Sequence, residues 1–130
     1  MRNLLFIIRI GDGLEKDNVI LLKSKAFALQ IIKLYKYLVE NKKEFVLSKQ
    51  ILRSGTSIGA NAREASRAQS KPDFYAKLFI SLKEAEETAY WLELLYESDF
   101  LPEEKYKIIY VECEELIKIL VSITKHKTNS

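Results

Sequence analysis

The sequence predicts an all-α fold, an antiparallel up-down-up-down four-helix bundle, and three observations lead there. Only four Gly and two Pro occur in 130 residues, so the chain lacks the punctuation of a turn-rich β fold. Apolar residues recur at steps of three and four along successive stretches, the period of a buried helix face. Short polar connections join those stretches, which sets neighbouring helices antiparallel.

The first 17 residues differ from the rest. The apolar run Leu4 to Ile10 precedes Gly11-Asp12-Gly13, a turn signal, and reads as an arm, a short strand or a loose extension. A start codon placed too far upstream is the alternative. The run is far too short to cross a membrane, Arg9 interrupts it, and no small-residue cleavage site follows to suggest a signal peptide. The bundle is expected over residues 18–124, and residues 125–130 read as a polar tail.

Helix one is expected over residues 24–42, with Ser24 as N-cap and Phe27, Ile31, Leu34 and Leu38 as its seam. Helix two is expected over residues 46–69. Leu47, Ile51, Ser54, Ile58, Ala62 and Ala65 share one face, which is unusually rich in small residues. Gly55 and Gly59 inside a helix cost about 1 kcal/mol each relative to Ala. Close approach of a neighbouring helix would compensate; a break near Gly55 is the alternative. Pro72 and Asp73 suit the first turn of helix three, over residues 72–98. There Leu78, Leu82, Ala85, Ala89, Leu92 and Tyr96 alternate at four and three. Pro102 opens helix four, whose seam is Tyr106, Ile109, Cys113, Leu116, Leu120 and Ile123.

Composition narrows the chemistry. One Cys forms no internal disulfide and suits a reducing cytoplasm; one His, His126, leaves little for metal or triad chemistry. Glu84 with Glu87, and Glu112 with Glu115, sit three apart but lack the Glu-x-x-His partners of a bundle di-iron site. They read as solvated acidic faces. Cys113 reads as a small core residue, with no base beside it. Gly55 to Gly59 is no phosphate-binding loop, because the spacing and the Lys-Ser/Thr ending are absent. No cofactor is expected, and the chain reads as a non-enzyme.

Charge is more informative. The net charge of +3 is mild, but residues 45–71 carry Lys49, Arg53, Arg63, Arg67 and Lys71 against Glu64, and residues 72–99 are strongly acidic. The basic face of helix two therefore has two readings. It binds phosphates, or its arginines pair with acids such as Glu84 and Glu87 of helix three. No aromatic ring interleaves these charges after Phe45, which weakens the case for base stacking. Tyr90 and Trp91 are adjacent and cannot both face one narrow seam, so at least one is expected against another subunit.

These residues carry a resemblance. Arg53-Ser54-Gly55-Thr56-Ser57-Ile58-Gly59-Ala60-Asn61-Ala62-Arg63-Glu64-Ala65 is followed by Asp73-Phe74, by Ser81-Leu82-Lys83-Glu84-Ala85, and by Glu87-Thr88 before Tyr90-Trp91-Leu92-Glu93-Leu94-Leu95. The pattern resembles the bacterial four-helix-bundle proteins first noticed in intervening sequences of 23S ribosomal RNA genes, often labelled S23 ribosomal protein. It covers residues 18–124 and leaves the arm outside. The resemblance implies a homopentamer around a central channel and no enzymatic activity. It also implies kinship with the accessory variability protein of diversity-generating retroelements, which binds nucleic acid and a reverse transcriptase through a basic surface. Arg53, Asn61 and Glu64 match motif positions and would form a structural polar network. The expected function is thus an oligomeric scaffold that binds RNA or DNA through Lys49, Arg53, Arg63, Arg67 and Lys71. The alternative is a structural or protein-interaction module without nucleic acid, and a metal-dependent bundle enzyme is the least favoured.

Overall fold

Helix boundaries follow local capping chemistry. The computed structural model describes the backbone of residues 13–129 and the side chains of residues 19–126. Within them lie four helices: α1 (Gly13–Glu40), α2 (Leu47–Ala65), α3 (Lys71–Glu97) and α4 (Glu103–Asn129). Val46 at the N-cap of α2 offers no side-chain acceptor. The buried carboxylate of Glu44 takes that role, accepting the N–H groups of Val46 (3.2 Å), Leu47 (3.0 Å) and Ser48 (2.7 Å). Three otherwise unpartnered donors and the positive end of the helix dipole offset the desolvation of one carboxylate. At α3, Ser70 accepts from the Asp73 N–H at 3.2 Å, with Pro in the first turn as expected. Lys43 after α1 and Asp99 after α3 adopt positive φ (55° and 68°), closing those helix ends in the left-handed region.

Each helix packs on the next, and α4 returns to α1. With short connections this is the up-down-up-down bundle that the seams predict. Phe27, Ile31, Leu34 and Leu38 are buried, as are Ile51, Ile58, Leu78, Leu92, Cys113, Leu116, Leu120 and Ile123. The Cys113 thiol donates to the Ala85 carbonyl at 3.3 Å, and burial pushes its pKa up to about 12.

Two expectations are corrected. Ser24 is not an N-cap: α1 begins at Gly13, and Ser24 is buried inside it, its hydroxyl donating to the Leu21 carbonyl at 3.4 Å. Ile20 is buried one heptad before Phe27, so the apolar stripe, and with it the helix, runs on past Ser24. Helix two stops at Ala65 rather than near 69. The alternative of a break at Gly55 is not realised, since α2 runs through it. Of the arm expected over residues 1–17, residues 1–12 lie outside the described residues and 13–17 open α1; α4 continues into the expected tail as far as Asn129.

The glycines show why α2 is rich in small residues. A Cβ on Gly55 would sit 2.7 Å from Ile31 Cγ1, and one on Gly59 would sit 3.1 Å from Ser24 Oγ. At both positions α1 packs against the bare backbone of α2. No helix among the described residues is long and apolar enough to cross a membrane.

Candidate nucleic-acid interface

The basic residues of α2 and of the turn after it separate into two groups according to the neighbouring helix each lies beside. Arg53 points toward α3. Its Nη1 lies 3.2 Å from Glu84 Oε1, and its Nη2 pairs with Glu87 Oε1. Glu87 also accepts from the Trp91 indole N–H at 3.3 Å, so one carboxylate ties a guanidinium to a half-buried ring. The pairing of arginine with Glu84 and Glu87 therefore exists, but Arg53 makes it, not Arg63 or Arg67. The register of α2 on α3 places residue 53 opposite those acids.

Arg63 and Arg67 lie toward α1. With Lys25 they line an open groove of about 570 Å³ between α1 and α2. Ala28, Gly59 and Ala60 lie beneath them; the small side chains that let the helices approach also keep this surface concave. Among the described residues, no carboxylate lies within ion-pair distance of Lys25, Arg63 or Arg67. Glu64 at the rim is held by Lys77 Nζ at 3.1 Å. Two hydroxyls in the lining, Ser24 and Thr56, donate to carbonyls of their own helices, Thr56 to Leu52 at 2.7 Å.

Lys49 and Lys71 are exposed, Lys49 in the first turn of α2 and Lys71 at the start of α3, and neither lines the groove. Of the residues expected to form a polar network, Arg53 binds Glu84 and Glu87, Glu64 binds Lys77, and the Asn61 amide donates to the Ser57 carbonyl at 2.9 Å. Within this chain these are three separate interactions.

Lys25 was not among the residues singled out from the sequence. With Ser24 taken as a cap, Lys25 falls at a helix end; only the longer α1 carries it to mid-helix, beside the groove that Arg63 and Arg67 also line. A tyrosine ladder was also missed. Tyr96 and Tyr106 stack at 4.3 Å between ring centroids, and Tyr110 follows at 5.0 Å. The four-residue step from Tyr106 to Tyr110 is its sequence signal. Tyr110 donates to Glu93 at 2.7 Å and Tyr96 to Glu103 at 3.0 Å; each carboxylate hydrogen bond raises its phenol's pKa. Tyr90 is 54% exposed while Trp91 is half-buried beside it.

Among the described residues, no group of three or more His, Cys, Asp and Glu is placed to hold a metal ion. Comparison with known proteins adds two likenesses. Residues 16–122 match the profile of a family described as 23S rRNA-intervening sequence protein. The chain is also similar to a crystal structure of a protein of unknown function from the S23 ribosomal protein family of Bacteroides thetaiotaomicron. Identity is 58% over 85% of this chain and 98% of that one, with a TM-score of 0.83. No curated protein matches.

Proposed function

Because the chain belongs to the 23S rRNA-intervening sequence protein family, we propose that it is a non-enzymatic homo-oligomeric scaffold, a pentamer, that binds RNA or DNA through the groove between α1 and α2. The observation that carries this reading is the split in the basic residues: Arg53 is neutralised by Glu84 and Glu87, whereas Arg63, Arg67 and Lys25 line the groove with no carboxylate of the described residues within ion-pair distance. Exposed arginines four residues apart, Arg63 in the last turn of α2 and Arg67 in the turn that follows it, suit neighbouring phosphates. Lys49 and Lys71 extend the positive field at the two ends of the α2 region.

Exposed apolar side chains support the oligomer. Leu22 and Leu29 on α1, and Ile108 and Val111 on α4, are more than half exposed, as is Tyr90; such surface is commonly covered by another protein. A reverse-transcriptase-like protein is a further candidate partner, and the cytoplasm the expected location.

The test is oligonucleotide binding as a function of salt. Each neutralised phosphate contributes about −0.7 to −0.9 to the slope of log affinity against log salt. Arg63→Gln with Arg67→Gln should flatten that slope by about 1.5 and leave the melting temperature unchanged. Sedimentation of the same sample should give a particle several times 15.1 kDa. Salt-independent or absent binding overturns the nucleic-acid half and leaves the interaction module; a monomer at micromolar concentration overturns the scaffold.

A further inference from the structure

We infer that the α1–α2 groove takes double-stranded nucleic acid, gripping the phosphodiester backbone without reading bases; this deepens the proposed function and rests on it. The hydroxyl and carboxylate groups of the lining are already engaged within the protein, and its lysine and arginines could read guanine only if a protruding element carried them into a duplex groove. The Ser24 hydroxyl donates to the Leu21 carbonyl and the Thr56 hydroxyl to the Leu52 carbonyl. The Glu64 carboxylate is held by Lys77. What remains directed at a ligand is charge: Lys25, Arg63 and Arg67.

Shape leads to the same conclusion. Base edges in a duplex lie at the bottom of grooves and are reached by protruding elements such as a helix or a ribbon. Here the cations border a depression between two helices, which accepts a convex backbone. Among the described residues, no aromatic side chain lines the groove, and the exposed rings Phe45, Phe79 and Tyr90 belong to the α1–α2 connection and to α3. Proteins that bind single strands without sequence preference rely on stacking bases on such rings. Without a ring, only the phosphate contacts offset the freedom that a single strand loses on binding. A duplex arrives ordered, with one charge per about 1.7 Å of axis.

Fluorescence anisotropy on the full chain tests this with four probes of equal length: two RNA duplexes of unrelated sequence, a DNA duplex and oligouridine. The duplexes should bind within about threefold of one another and about tenfold more tightly than oligouridine, the margin that stacking would otherwise recover. Lys25→Gln should weaken all three duplexes by one common factor and reduce each salt slope by about 0.7–0.9. Oligouridine binding as tightly as the duplexes, one sequence preferred about tenfold, or RNA duplexes bound to the exclusion of DNA would each overturn this inference while leaving the proposed function standing. No salt-dependent binding to any probe would overturn the function itself.

Discussion

The two edges of α2 are built on opposite principles. Toward α3 its polar groups are matched. Ser81 donates to the Ile58 carbonyl at 2.7 Å, the Thr88 hydroxyl lies 2.8 Å from Ser54 Oγ, and Arg53 and Glu64 each find an opposite charge on α3. Toward α1 the contact is made by the absence of side chains at Gly55 and Gly59, and among the described residues no carboxylate lies within ion-pair distance of the cations above it. The α2 segment and the turn after it thus carry arginines of two kinds, Arg53 on one side and Arg63 with Arg67 on the other. Arg53, facing α3, serves cohesion, and the two beside α1 remain available to a ligand. Residue type does not distinguish them; helix phase does.

The largest effect expected from this contrast is at Gly55. Gly55→Leu forces a side chain into Ile31, where even a Cβ would approach to 2.7 Å. Overpacking of this kind costs about 1–3 kcal/mol, and this site should reach the upper end. A urea midpoint equal to wild type would mean that the α1 edge is not tight, and the contrast would fail. On the other edge, Thr88→Val keeps the shape but strips the fully buried Ser54 hydroxyl of its partner. That should lower stability by about 1–2 kcal/mol, because a buried polar group is left unsatisfied. Unchanged stability would show that the α3 edge is held by apolar packing alone.

The smallest effect is the most discriminating. Arg53→Gln removes the clasp to Glu84 and Glu87, but the arginine side chain is 49% exposed. Solvent screening limits the loss to about 1 kcal/mol or less. The salt slope for nucleic acid should not move, in contrast to the Arg63 and Arg67 double variant. If Arg53→Gln flattens the slope as strongly as that variant, the two edges are not functionally distinct.

How much of this could be read in advance follows from what a linear pattern encodes. The seams were legible because burial repeats with the helix period, and every seam residue named for helix one and for Ile109 to Ile123 is buried. Gly55 and Gly59 were legible as a close contact because glycine inside a helix needs a compensating reason. Ser24 misled because serine serves equally as an N-cap and as a small residue under a neighbouring helix. The charge pairing was half legible: an acid-rich helix beside a base-rich one implies ion pairs. Which arginine meets Glu84 depends on axial register and rotation, set by packing of Ile51, Ile58 and their neighbours rather than by charge. Lys25 stayed hidden because its importance lies in sharing a groove with Arg63 and Arg67, which are distant in sequence.

The buried thiol has a practical consequence. Cys113 is the single cysteine of the chain, fully covered, and burial holds its pKa up to about 12. Alkylation needs the thiolate and access to it, and the folded bundle withholds both. Labelling by iodoacetamide at neutral pH therefore proceeds only through molecules in which α4 has come away from α3. The modification rate is a clock for that opening, and its slowing on addition of a ligand would measure how far binding at the distant α1–α2 groove tightens the whole bundle.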